Sequence, residues 1–132
     1  QRLVCLLAAG EGDGVVHAFM AEVMGMAPQH IEALQSSPTW ANRVAAAHTI
    51  PREHRAEERY RLPVERAARL STPTLLLQGG NSLPVFSSVI ARLQNVLPNA
   101  RTTVLPGQQH MAMETAPELV VTAVPDFWRD LR

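Results

Sequence analysis

The sequence predicts an α/β protein in which a helical half, residues 1–70, precedes a β-α-β-α unit, residues 71–132, with two parallel strands. In the first half, apolar side chains recur at three- and four-residue spacing, which is typical of amphipathic helices. At Ser71 the pattern changes to "TPTLLLQGG", a short apolar run that is typical of a strand buried on both faces of a parallel sheet. A helical stretch then separates this run from a second short strand, and such a crossover makes the two strands parallel.

Composition and charge narrow the function classes. Lys plus Arg and Asp plus Glu each number 12, so the formal net charge is zero, and no basic patch predicts a nucleic-acid partner. The single cysteine, Cys5, excludes an intrachain disulfide. The apolar run at residues 3–9 is too short to cross a bilayer, so we expect no membrane partner and a cytoplasmic protein. A first residue other than Met, Gln1, indicates a fragment, a processed chain or a trimmed one.

The first helices follow from apolar spacing and from glycine and proline. The run "LVCLLAA" predicts an amphipathic helix that ends at Gly10, although a weak signal-peptide core is an alternative. Gly25 ends the next predicted helix, and Pro28 opens a third. The buried face of the second helix is predicted to consist of Val15, Val16, Phe19, Met20, Val23 and Met24.

Proline residues mark the remaining helices of the first half. In "SSPTW" we expect Ser37 to cap a helix and Pro38 to occupy its first position. Pro51 begins a charged segment in which Glu57 and Arg61 are spaced as a helical ion pair. A last short helix is predicted from Pro63 through Leu70.

The second half alternates strand and helix. After the first strand, residues 84–97 predict a helix, and Thr102–Leu105 predicts the second strand. Ala116–Leu131 predicts a final helix that Pro125 should kink. Its apolar stripe is predicted to be Leu119, Val120, Ala123, Val124 and Phe127. The inward face of the 84–97 helix is predicted to be Val85, Val89, Leu93 and Val96 or Leu97.

A sheet of only two strands needs further strands or helices packed against it to be stable. Two parallel strands alone are marginally stable, and their outer edges are open to further pairing. We therefore expect a homodimer, pairing with a missing N-terminal half, or a helical half that folds over the sheet.

Polar residues follow both strands. Asn81 and Ser82 come after the first strand, and His110 comes after the second. Because the carboxyl ends of parallel strands meet at one edge, these loops should lie side by side. A side-chain oxygen that accepts a hydrogen bond from the Nδ1–H of an imidazole leaves Nε2 free to act as a base. From spacing alone, a strand-end His110 bonded to a neighbouring loop and turn roles for Asn81 and Ser82 remain open.

Residues 72–128 resemble the C-terminal part of the α/β-hydrolase superfamily. The resemblance is carried by "PTLLLQGGNSLP", by the helix end "VLPNA", by "RTTVLPG" and by "QHMAMETAPELVVTAVPDFW". Members typically read strand, Gly-rich acid loop, helix, strand and a loop with the base His, in this order. The preceding helices, including "WANRVAAAHTIPRE", are similar to the lid of such enzymes. The resemblance implies a partial α/β-hydrolase fold with lid helices, the last two strands and the His loop of a small serine-hydrolase-like protein.

The resemblance also implies site residues. His110 matches the base, and Asn81 stands where relatives often have the Asp of "GGDS", so the acid position departs from the pattern. The nucleophile motif G-x-S-x-G does not occur in the chain, and the resemblance places that motif, with the early strands, upstream of Gln1. The complete enzyme would hydrolyse a small ester-like substrate without a cofactor, and this chain alone should be inactive. The alternative is a non-catalytic remnant that binds or dimerises.

Three residues of the lid-like half are candidates for substrate binding. Trp40, His48 and Met20 lie on helices that line the substrate pocket in lidded hydrolases, although packing in the core is the competing interpretation. The spacing of the other histidines does not match a metal site, so no metal is expected. These histidines are His17, His30, His48 and His54.

Overall fold

The computed structural model describes residues 1–130 and divides the chain into two compact units. The first unit is Gln1–Arg61 and the second is Leu62–Arg132. The change of hydrophobic pattern at Ser71 predicts a boundary between residues 70 and 71. In the structure, the short helix that precedes the first strand belongs to the second unit.

The first unit is helical in the part of the chain that the structure describes. Gly10 and Gly25 have φ values of +76° and +65°, so the glycines that were predicted to end helices do so in the left-handed conformation that favours glycine. Its elements are α1 (Arg2–Ala8), α2 (Gly12–Ala18), a π-helical turn (Phe19–Val23), α3 (Pro28–Gln35), α4 (Trp40–Ala45), a 3₁₀ turn (Ala47–Thr49) and α5 (Ile50–Arg59).

Helix α2 lies at the centre of this unit, where it contacts α1, α4 and the 3₁₀ turn. The largest fully buried side chains of the unit are Val15 and Val16 on α2 and Ile31 on α3. Val15, Val16 and Met20 confirm the predicted apolar face of the second helix, and the helix continues into the π-helical turn. Burial of such side chains contributes about 1.5–3 kcal/mol each to folding.

The predicted cap at Ser37 is wrong. Helix α4 begins at Trp40, and the Ser37 hydroxyl donates instead to the Leu34 carbonyl oxygen at 2.7 Å. Ser37 also shares a hydrogen bond of 2.8 Å with the Thr39 hydroxyl. A serine hydroxyl can accept a hydrogen bond from a following backbone amide or donate one to a preceding carbonyl oxygen. Here it donates to a carbonyl oxygen at the end of α3.

The predicted ion pair between Glu57 and Arg61 is replaced by other contacts. Helix α5 ends at Arg59, and the Arg61 guanidinium donates to the carbonyl oxygens of Glu58 and Tyr60. Glu57 lies 3.9 Å from the imidazole of His54. The helical spacing of residues 57 and 61 has no effect here because the helix ends between them.

The second unit contains the two parallel strands. They pair in register from Thr74 opposite Ala100 to Gly79 opposite Leu105, which confirms the predicted parallel pair. A short helix after the His110 loop was not predicted. The elements are α6 (Val64–Ala67), β1 (Thr74–Gly79), α7 (Pro84–Val96), β2 (Ala100–Leu105), α8 (Ala112–Thr115) and α9 (Pro117–Arg129).

The predicted inward face of α7 is partly wrong. Val85 and Val89 are 59% and 51% exposed, whereas Phe86 and Ile90 are half-buried. A hydrogen bond of 3.0 Å from Gln78 Nε2 on β1 to Ser87 Oγ fixes this orientation. The face that contacts the strands is therefore rotated by one residue from the expected one.

Burial in the second unit is less complete than predicted. In β1, Leu76 is buried but Leu75 and Leu77 are only half-buried. Helix α9 runs without interruption through Pro125, and Phe127 is its buried residue. The predicted end of that helix at Leu131 lies outside the described residues. No helix within residues 1–130 is long and apolar enough to cross a bilayer.

Candidate functional site

The loops after β1 and β2 lie side by side at the carboxyl edge of the strands. The Gly80 amide donates to the Leu105 carbonyl oxygen at 2.9 Å, and the Asn81 amide donates to the Gln108 carbonyl oxygen at 2.8 Å. These bonds extend the strand pairing into the loops. The polar residues that follow the two strands therefore share one small region of the second unit.

Gly79 allows the two loops to approach closely. A Cβ atom at this position would lie 2.6 Å from the Gln108 carbonyl oxygen and still closer to that of Gln109. Such distances are far below van der Waals contact, so a larger residue would displace the backbone that leads to His110. On the other loop, Gly107 has a φ of +71° and forms the tight turn after β2.

His110 follows this turn and precedes α8. Its side chain is half-buried, and its imidazole ring stacks on the ring of Phe86 in the first turn of α7. The ring centroids are 3.9 Å apart, and the planes differ by only 12°. The face of the imidazole is thus covered by a benzene ring.

A cavity of about 180 Å³ opens beside this stacked pair. Its walls are mostly apolar, and Gln78, Ser82 and His110 supply the polar groups. This volume is below the roughly 300–1,000 Å³ of most small-molecule sites, so the second unit contributes a small cleft with a few convergent polar side chains. The remaining lining residues are Leu77, Gly79, Phe86, Val89, Ile90 and Met113.

Asn81 is exposed and contacts the backbone of the His110 loop. Its side-chain amide Nδ2 donates to the Gly107 carbonyl oxygen at 3.3 Å, in addition to the backbone bond to Gln108. The side chain thereby links the loop at the predicted acid position to the loop that carries the predicted base. Ser82 closes the turn after β1, where its amide donates to the Gly79 carbonyl oxygen at 3.1 Å.

The three predicted substrate-binding residues belong to the first unit. Trp40 is buried, and its indole Nε1 donates to the Asp13 carboxylate at 2.7 Å. Met20 is buried in the π-helical turn. His48 is exposed, with Nδ1 at 3.0 Å from the Ala45 carbonyl oxygen. Trp40 and Met20 therefore contribute to the core of the helical unit.

Two residues at this site were missed by sequence reasoning. Phe86 carries no sequence signal of its role, because its contact with His110 exists only once α7 crosses back along the strands. The sequence "QGG" predicts a turn but gives no reason to assign Gly79 a different role from Gly80. Among residues 1–130, no three His, Cys, Asp or Glu side chains come together as a metal-binding group.

Comparison with known structures shows a clear similarity to a solved α/β hydrolase. The crystal structure of an α/β hydrolase from Sphaerobacter thermophilus DSM 20745 is similar to this chain with a TM-score of 0.72 and 33% sequence identity. The similarity covers 96% of this chain and 48% of that protein, so this chain spans about half its length. No family profile and no curated protein matches the sequence. The order of the elements, the parallel strands and this similarity together show that the chain has a partial α/β-hydrolase fold.

Proposed function

We propose that this chain is the C-terminal portion of a serine-hydrolase-like enzyme that cleaves an ester or a related acyl bond. The observation that carries the proposal is the position of His110, which follows the second of two parallel strands in a partial α/β-hydrolase fold. Parallel sheets of this kind place their reactive groups beyond the carboxyl ends of the strands. The half-buried imidazole beside a small cleft is suited to proton transfer.

In the proposed mechanism, His110 acts as general base. It removes the proton from a serine hydroxyl that attacks the acyl carbon, and it returns the proton to the leaving group. The serine and the oxyanion hole come from the part of the enzyme that this chain does not contain. Residues 1–70 are the lid-like region in this proposal. His48, which is exposed, is its candidate substrate contact, whereas Trp40 and Met20 are buried and pack its core.

Asn81 occupies the position of the catalytic acid. Its side-chain oxygen can accept a hydrogen bond from an imidazole N–H but carries no full charge, so it orients a base better than it stabilises an imidazolium. In the serine-protease template, replacing the acid by its amide costs about 10⁴-fold in rate. We therefore propose either that the complete enzyme is slow or that a residue after another strand supplies the catalytic acid.

This chain alone lacks the nucleophile elbow. Its serines are Ser36, Ser37, Ser71, Ser82, Ser87 and Ser88, and none lies in a G-x-S-x-G motif. A base without a nucleophile within hydrogen-bond reach gives no acyl transfer. The isolated chain should therefore be inactive.

A fusion protein tests the proposal. The portion of the Sphaerobacter thermophilus hydrolase that this chain does not match is joined to this chain, and p-nitrophenyl acetate hydrolysis is measured. We expect turnover that His110→Ala reduces by about 10²-fold, because the serine then has no base and the neutral Asn81 has already removed most of the effect of the triad. The matched control is His17→Ala, which removes an exposed histidine of the first unit.

Substitution at the acid position extends the same test. Asn81→Asp in the fusion should raise kcat, because a carboxylate stabilises the imidazolium that forms during the reaction. A folded fusion that shows no turnover, or a turnover that survives His110→Ala, would contradict the proposed function.

A non-catalytic, self-associating module is the second candidate. Exposed large apolar side chains are concentrated in the second unit, including Val85, Val121 and Trp128. Within the described residues, β1 pairs with β2 alone, which leaves its other edge open to pairing with a further strand. Light scattering of the purified chain tests this candidate: a dimer or larger species supports it, and a compact monomer that melts cooperatively contradicts it.

A further inference from the structure

The stacked rings of Phe86 and His110 form the closest aromatic contact among the described residues. Their centroids are 3.9 Å apart with an angle of 12° between the planes. Most aromatic pairs in proteins are offset or edge-to-face with centroids 4.5–7 Å apart, as Phe127 and Trp128 are here at 6.3 Å and 63°. The contact at His110 is therefore a close, nearly parallel stack.

The helix that carries Phe86 is held firmly to the strand. Helix α7 begins at Pro84, whose ring restricts φ at the first helical position. The Phe86 amide donates to the Leu83 carbonyl oxygen at 3.0 Å, and the neighbouring Ser87 hydroxyl accepts from Gln78 of β1. The benzene ring thus projects from a fixed point at the strand end.

A stack and a hydrogen bond constrain an imidazole differently. A ring that covers one face fixes the plane of the imidazole but leaves rotation within that plane free. A hydrogen bond to one ring nitrogen fixes that rotation and the tautomer. A base that is aimed at a neighbouring hydroxyl needs both constraints.

We propose that Phe86 is a positioning residue for His110. This inference rests on the proposed function, because it assigns Phe86 a part in aiming the base. The Phe86 ring holds the plane of the imidazole, so that the two ring nitrogens stay in a plane nearly parallel to the benzene ring. Its face also carries the negative end of the ring quadrupole, which attracts the imidazolium that forms when His110 takes a proton.

Phe86 therefore complements the neutral side chain at the acid position. Asn81 offers no negative charge to a protonated His110, and its amide Nδ2 is engaged with Gly107. The benzene face supplies an attraction to positive charge from another direction. Phe86 is not a catalytic residue, since it acts only through His110.

NMR of the 132-residue chain with labelled histidine tests the placement. Carbon-bound ring protons over a benzene face resonate upfield, so the His110 signals should lie upfield of those of His17 and His48, which are exposed. The His110 signals are identified by their loss in His110→Gln. Phe86→Leu, which keeps apolar bulk, should remove the shift, and Phe86→Tyr should retain it.

Val85→Ala is the matched control, because it alters an exposed residue one position earlier on the same helix. It should leave the shift unchanged. Wild-type His110 signals that coincide with those of His17 and His48 would overturn the proposal, and so would a shift that survives in Phe86→Leu. A general loss of packing in Phe86→Leu is distinguished by the rescue with tyrosine.

Kinetics of the fusion protein separate this inference from the proposed function. In an active fusion, Phe86→Leu should lower kcat several-fold at an unchanged KM, and Phe86→Tyr should restore it. An active fusion that is indifferent to Phe86→Leu overturns the positioning role alone. An inactive fusion whose His110 signals are shifted and depend on Phe86 removes the proposed function but supports the placement of the ring.

Discussion

The two units of this chain differ in how completely they bury their apolar side chains. In the helical unit, the exposed large apolar residues are Val4 and Tyr60. Among the described residues of the second unit, 62–130, ten such residues are exposed: Val64, Leu70, Leu83, Val85, Val89, Val104, Met113, Val121, Val124 and Trp128. Helix α7 has no buried residue, whereas α2 has three. The helical unit closes its own core, and the unit with the strands does not.

The difference follows from the geometry of the elements. Helices of six to ten residues can surround one another, so Val15, Val16 and Ile31 are enclosed on all sides. Two strands present too little area to cover helices on both faces, and a stable sheet usually needs more strands. The similar Sphaerobacter thermophilus hydrolase is about twice as long as this chain, which spans 48% of it.

The largest expected effect is the difference in stability loss between two Ile→Ala substitutions, one in each unit. Ile31→Ala removes a fully buried side chain of the first unit and should lower the free energy of unfolding by about 2–5 kcal/mol. Ile90→Ala removes a half-buried side chain of α7 and should lower it by about 1 kcal/mol. Urea denaturation measures both. Equal losses would contradict the difference in packing between the units.

A smaller effect is expected where the second unit is tightly packed. Gly79→Ala places a methyl group against the carbonyl oxygens of Gln108 and Gln109 and should cost about 1–3 kcal/mol. Gly80→Ala is the matched control, because its Cβ would lie 3.3 Å from the nearest atom, the Leu105 carbonyl oxygen, and should cost less. A neutral Gly79→Ala variant would show that the His110 loop is not held against β1.

The smallest effect has the opposite sign. Gly14 lies inside α2, and a Cβ there would make ordinary contacts at 3.5 Å with Leu6 and Glu11. Gly14→Ala should therefore raise the free energy of unfolding by about 0.5–1 kcal/mol, because alanine restricts the unfolded chain and favours the helix. Thermal melting of the variant beside wild type measures the gain, and a lower melting temperature would contradict the described position of Gly14.

Much of the fold was predictable because its signals are local. The prolines at 28, 51 and 84 lie in the first turn of helices, and "TPTLLLQGG" forms a parallel strand. The errors concern choices that only the tertiary structure makes. Val85 and Val89 have the spacing of a buried face, but the strands contact the face one residue further on, with Phe86 and Ile90.

The candidate site was likewise predictable in part, where it follows from the pairing of the strands. The meeting of the two strand-end loops follows from parallel pairing, and hydrogen bonds between Asn81 and residues 107 and 108 confirm it. The stack of Phe86 on His110 was not predictable, because it depends on where α7 lies above the loop. The burial of Trp40 and Met20 depends likewise on how the helices of the first unit enclose them.

The most direct test of the account is p-nitrophenyl acetate hydrolysis by the purified 132-residue chain, measured beside its His110→Ala variant. If the chain carries a base without its nucleophile, both proteins should match the uncatalysed rate. Wild-type turnover that His110→Ala abolishes would show that the chain is a complete catalyst and would contradict the account.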